Sequence, residues 1–146
     1  MLSGSSKFEY AVVTVLFGVL ATTLLQRLET VQEEAERTAL DLTIRNIRTG
    51  MQLAQGELIM HGEDGRITEL AQSNPVRFLG KLPDGYEGEA VSPEQPGGWT
   101  YNPTLHELAY KPRLAPAFAG RPELRWRYMP VLADGQIRGL RLEAMN

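Results

Sequence analysis

Glu9-Tyr-Ala-Val-Val-Thr-Val-Leu-Phe-Gly-Val-Leu-Ala-Thr-Thr-Leu-Leu25 decides how the rest of this sequence is read. One carboxylate stands at its mouth, and an uncharged, mostly apolar run follows from Tyr10 to Leu25. As a helix the run reaches about 24 Å at 1.5 Å per residue, against a bilayer hydrocarbon core of about 30 Å. Phe8 before it and helical continuation after it extend that span. A carboxylate at a bilayer boundary is costly unless it has a partner or reaches water. A cleaved secretory signal would need small residues just past the run. The following Gln26-Arg-Leu-Glu-Thr-Val31 has no such site, so the run predicts a retained anchor.

The run does not end in a helix breaker. No Pro or Gly occurs between Val19 and Thr49, and Gln26–Thr49 is rich in Glu, Arg, Leu, Ala and Gln. These are good helix formers. Leu28, Val31, Ala35, Ala39, Leu42 and Asn46 follow steps of three and four. Leu40, Ile44, Ile47, Met51, Ala54 and Leu58 form a second row beside them. Together they predict a broad apolar face on an amphipathic helix, stopped near His61-Gly62. Apolar run and amphipathic segment then make one helix of roughly 50 residues, about 80 Å long. Glu29, Glu33, Glu34 and Glu36, with Arg27 and Arg37, read as a solvated face or as a contact for a basic partner.

Beyond the helix the pattern changes. Ile67–Gln72 predicts a short second helix before Asn74-Pro75, and Asp84–Gly98 reads as loop. Trp99-Thr-Tyr101 and Glu107-Leu-Ala-Tyr110 read as strands joined by a turn, and Lys111–Pro122 is irregular. Leu124–Pro130 alternates large apolar with charged residues, Ala133-Asp-Gly135 signals a hairpin, and Ile137–Leu142 answers as its partner. The expected fold class is α+β. A long helix, its first half suited to a membrane and its second amphipathic, packs on about four antiparallel strands.

Composition narrows the function. The chain has 146 residues and a net charge of −3, and its cations form no stripe, so no nucleic-acid contact is predicted. The absence of cysteine removes disulfides, thiol catalysis and thiolate metal sites. His61 and His106 have no metal-ligand companions at a recognisable spacing, and Ser3 and Ser5 lack a nucleophile's setting. Asp84-Gly-Tyr-Glu-Gly-Glu89 clusters oxygens without the spacing of a known calcium loop, and reads as an acidic turn. Trp99, Tyr101, Trp126 and Tyr128 read as core or cross-strand pairs, with a ligand platform as the alternative. The expectation is a non-enzyme without cofactor or metal. Ala11, Thr14, Gly18 and Thr22 share one helical face and suit close helix packing in lipid, though such residues are also common filler there.

The first 25 residues resemble those of the type IV pilin superfamily, which includes the pseudopilins of type II secretion. In that superfamily a peptidase cuts after a glycine, the new N-terminus is methylated, and the fifth mature residue is glutamate. Gly4 and Glu9 stand at that spacing, and Gly18-Val-Leu-Ala21 stands where many pilins carry Gly-Ile-Leu-Ala. Gly98–Asn102 and Glu107–Tyr110 look like the sheet-forming end of pseudopilin-like proteins. The resemblance implies a leader at 1–4, an assembly half at 5–26 and a periplasmic or extracellular α+β domain at 27–146. It implies cleavage between Gly4 and Ser5, N-methylation of Ser5, and pairing of Glu9 with the Ser5 amine of an adjacent subunit; the alternative is a Glu9 that sits at the membrane surface next to Lys7. The implied partners are other pilin or pseudopilin subunits, prepilin peptidase, an inner-membrane assembly platform and membrane lipid. The chain departs from the pattern at Ser5-Ser6-Lys7-Phe8, in the uncharged leader and in lacking a cysteine pair, which favours a minor pilin or pseudopilin.

The implied location is the bacterial inner membrane, crossed once, with the N-terminus cytoplasmic and the bulk periplasmic. Two alternatives stay open. One is a bitopic scaffold whose Leu28–Leu58 face forms a coiled coil with a partner. The other is an anchored ligand-binding domain.

Overall fold

A computed structural model describes residues 3–145. Helix α1 runs from Ser3 to Met60, 58 residues. It stops where the sequence predicts. Gly62 takes φ 70°, its N–H donates to the Ile59 carbonyl at 3.0 Å, and the Glu63 N–H donates to the Leu58 carbonyl at 2.8 Å. This pair of reversed bonds satisfies end carbonyls that the helix leaves open, and the left-handed position suits glycine.

The chain divides into two compact units between Ala35 and Glu36. In the first, α1 is alone. Its apolar side chains from Phe8 to Leu25 are exposed, and the helix is long and apolar enough to cross a membrane.

In the second unit α1 covers a sheet. Leu40, Ile44, Ile47 and Met51 recur every three or four residues on one stripe, and all four are buried. They meet Trp99, Tyr101, Leu108, Tyr110, Trp126, Tyr128 and Leu142, the inward residues of the strands, with Val76 closing one end. This is the expected α+β arrangement. Only one of the two apolar rows on the helix takes part. Leu42, from the other row, is 57% exposed, and so is not under the sheet as the broad-face reading expected.

The sheet has five strands in the order β1-β2-β3-β4-β5: Tyr86–Glu89, Trp99–Asn102, Glu107–Tyr110, Leu124–Ala133 and Gln136–Met145. Strands β2 to β5 pair antiparallel, as their alternation predicts. Strand β1 corrects the sequence reading. It lies within the stretch expected to be loop and pairs parallel with β2, making the sheet mixed. Its glycines hide it. Gly85 and Gly88 have φ of 82° and 101°, and the register slips between Tyr86 and Gly88. A four-residue strand with a glycine inside it is too short for a periodic signal.

The β4–β5 turn is the predicted one. Asp134 and Gly135 both have positive φ, 54° and 75°, matching the right-handed strand twist that a two-residue hairpin requires. Helix α2 spans Ile67–Ala71, one residue short of expectation. Asn74 then accepts the Val76 N–H at 3.0 Å and starts a 3₁₀ turn at Pro75–Phe78. Gly50 lets α1 approach that turn, since a Cβ there would strike the Phe78 carbonyl.

Candidate functional site

The residues marked by the sequence lie on the first half of α1. Met1 and Leu2 of the expected leader fall outside the described residues. Gly4 is exposed, and Ser5 follows in the helix. Glu9 is exposed, as are Ala11, Thr14, Gly18 and Thr22. At 3.6 residues per turn the last four fall within one narrow arc, and Glu9 leaves the helix on the opposite side. The two features are therefore not one site. A straight neighbouring helix that packs on the small residues does not reach Glu9.

The threonines of that stripe are partly committed. Thr14 donates to the Tyr10 carbonyl and Thr22 to the Gly18 carbonyl, both at 2.8 Å. Returning the proton to the preceding turn satisfies a hydroxyl without help from a partner. What the stripe offers is space. A Cβ added at Gly18 would meet nothing within 4 Å. A shallow cleft marks the end of the apolar run, lined by Thr23, Gln26, Arg27, Thr30 and Val31.

In the second unit, polar side chains of α1 hold the sheet and its loops. The Glu36 carboxylate accepts the Tyr110 hydroxyl at 2.7 Å and the backbone N–H groups of Arg113 and Leu114 at 2.6 and 2.9 Å. Arg37 donates to the Ala117 carbonyl at 3.1 Å. The solvated-face reading of the acidic segment therefore fails at Glu36 and Arg37, which anchor the β3–β4 connection. Burial first, and then the hydrogen bond to Glu36, raise the Tyr110 phenol above its ordinary 10.0. Arg48 donates to the Leu142 carbonyl at 3.0 Å, and Gln55 accepts the Leu140 N–H at 3.1 Å. These two side chains cap the outer edge of β5, whose backbone groups would otherwise be open to another strand.

On the other sheet face Glu107 is buried between two guanidiniums, Arg127 at 2.8 Å and Arg125 at 3.1 Å. The Arg127 hydrogen bond leads in holding its carboxyl below the ordinary 4.5, against the opposing effect of burial. Glu123 pairs with Arg125 as well, so two carboxylates and two guanidiniums match within the fold. In the acidic turn, Glu87 accepts the backbone N–H groups of Glu94 and Gln95 at 2.8 and 2.9 Å. Those two bonds hold its carboxyl below 4.5. Its oxygens close the β1–β2 loop. Among the described residues no three His, Asp or Glu side chains converge as a metal site. His106 lies at 3.1 Å from the Tyr101 hydroxyl, and burial leads in raising that phenol to about 12.

Trp99, Tyr101, Trp126 and Tyr128 are all buried, with the Trp99 and Trp126 rings stacked at 5.8 Å. They are core, so the ligand-platform alternative does not hold for them. No family model, curated protein or solved structure matches this chain.

Proposed function

We propose that this chain is a pilin-like structural subunit, a minor pilin or pseudopilin, anchored in a bacterial inner membrane before joining a secretion or pilus-type filament. The observation that carries the reading is the single helix with two solvents. Its first half exposes an apolar surface headed by one carboxylate, and its second half is the cover of a small sheet. The spacing of Gly4, Glu9 and Gly18 in the sequence supports it.

The physical logic is compensation of charge. In a filament the apolar helices solvate one another, and an unpaired carboxylate among them is expensive. Glu9 then requires a cation from a neighbour, and that requirement fixes axial register. The resemblance supplies the amine of a processed Ser5. The small residues on the opposite side serve a different neighbour. In this reading the N-terminus faces the cytoplasm and the sheet domain the periplasm, and the peptidase and assembly platform act on the membrane half.

The test is the N-terminus of the chain isolated from its host's membranes, by intact mass and terminal sequencing. A chain beginning at methylated Ser5 is the expected result. A chain beginning at Met1 sinks the processed-pilin reading.

One observation favours a second reading, a bitopic scaffold. Leu28 and Val31 are 53% and 66% exposed in the first unit, and Leu42 is 57% exposed in the second, each open to a helical partner. Leu42→Asp would then abolish partner binding while the sheet domain still folds. A pilin would keep its assembly.

A further inference from the structure

Glu9 and Arg27 stand five turns apart on α1, so their side chains leave the same side of the helix with about 27 Å between them. Between them that side carries Val13, Leu16, Leu20 and Thr23, all exposed. Glu9 is the sole carboxylate before Glu29, and Arg27 is the first cation beyond the apolar run. Among the described residues neither forms an ion pair. Nor does either have an opposite charge one turn away. Glu9 has Ser5, Ser6, Val12 and Val13 at those positions. Arg27 has Thr23, Leu24, Thr30 and Val31. Arg66 shows the contrast, with Glu63 and Glu69 three residues to either side at 2.6 and 3.3 Å.

Two copies laid parallel and level on this face would set Glu9 against Glu9 and Arg27 against Arg27. Like charges in an apolar contact repel. Shifting one copy by five turns toward its C-terminal end places its Glu9 on the other's Arg27, and five turns restore the same face. Shifts of one to four turns set Glu9 against Val13, Leu16, Leu20 or Thr23, none of them a cation.

We propose that the Arg27 cleft, with Thr23, Gln26 and Thr30 around the guanidinium, receives the Glu9 carboxylate of a second copy in this staggered parallel register. This deepens the filament reading and rests on it, naming a side chain as the partner of Glu9 beside the Ser5 amine. The stagger is close to the thickness of a hydrocarbon layer, about 30 Å. Two copies paired this way do not both span one bilayer. The copy giving Glu9 has moved outward by one membrane thickness, and the copy giving Arg27 still holds it at the water boundary.

The chain has no cysteine, so disulfide trapping is unambiguous. Full-length Val13→Cys and Val31→Cys chains, co-produced in the host's membranes and oxidised, test the five-turn register directly. The expected result is a mixed 13–31 dimer that is lost with Glu9→Arg in the Val13→Cys chain or Arg27→Glu in the Val31→Cys chain. It returns when the two swaps are combined, one in each chain. A dominant 13–13 dimer indicates level packing and overturns the proposal. A dominant dimer between Val13→Cys and Thr23→Cys chains indicates an antiparallel pair and also overturns it. Survival of the 13–31 dimer in Arg27→Glu assigns the register to something other than Arg27, and overturns it as well. Intact mass of the same samples separates the two claims. An unprocessed N-terminus with a charge-dependent 13–31 dimer defeats the pilin reading and leaves the pairing. A processed N-terminus without that dimer does the reverse.

Discussion

The first half of α1 and the second half are one kind of secondary structure with two kinds of surface. In the first unit, which ends at Ala35, large apolar residues such as Phe17 and Leu20 are 69% and 58% exposed. From Glu36 the apolar residues are restricted. One stripe of four is buried, Leu42 and Leu53 face outward, and Glu36, Arg37, Arg48 and Gln55 reach the sheet and its loops. Apolar character alone therefore does not locate a core. In the first half it is spread around the helix, which suits lipid. In the second it is confined and flanked by donors and acceptors, which suits a folded partner with backbone groups to satisfy.

The contrast is most vulnerable at the buried stripe. Ile47 is wholly buried beneath the sheet, and Ile47→Ala should remove about 2–5 kcal/mol from the second unit, read as the denaturant midpoint of the detergent-solubilised chain. A loss below about 0.5 kcal/mol, the size of a surface change, would mean the stripe is not the core. The Glu36 anchor comes next. Glu36→Ala leaves the Arg113 and Leu114 N–H groups and the Tyr110 hydroxyl without their acceptor, and should cost about 1–3 kcal/mol in the same measurement.

Glu107 adds a pH dependence that belongs to the sheet unit alone. Its carboxyl titrates below 4.5 in the folded chain, so the folded state favours the ionised form. That contribution is fully present above the unfolded value and is lost as pH falls through the folded one. Wild type should therefore weaken as pH is lowered from about 5 to about 3, and Glu107→Gln should weaken less over the same interval. Equal slopes would place the acid sensitivity elsewhere. The smallest effect is expected at Leu42. Leu42→Ala should change the unfolding midpoint by less than about 0.5 kcal/mol, and a core-sized loss would return the second row to the interior.

Much of the fold was legible in the sequence. The helix end at His61-Gly62, the Asp134-Gly135 turn and strands β2 to β5 follow from glycine placement and alternation, signals that need only near neighbours. What was not legible depended on distant ones. Two adjacent apolar rows look alike along a sequence, and only the sheet decides that Ile44 lies inside while Leu42 stays out. Glu36 looked like its acidic neighbours because its partners, Tyr110, Arg113 and Leu114, lie more than seventy residues away. Strand β1 carries its pairing in a partner strand rather than in its own alternation. For the candidate site, the positions of Glu9 and the small stripe could be read from the sequence. That they point to opposite sides, and that Glu9 shares its side with Arg27, follow from the helical turn only once the helix is known to run unbroken past Arg27.

The threonines of the apolar half have a mechanical meaning. Thr14, Thr22, Thr23 and Thr30 each return a hydroxyl to a carbonyl three or four residues back, at 2.8 to 3.0 Å. Each such carbonyl divides its acceptor strength between a backbone N–H and a hydroxyl, which loosens the helical ladder and favours bending. At Gly18 the shared carbonyl belongs to the residue with the least intrinsic stiffness. The shared carbonyls of Gly18 and Leu20 and the missing side chain coincide within about one turn, so Gly18–Thr23 is the stretch of the apolar half where bending costs least.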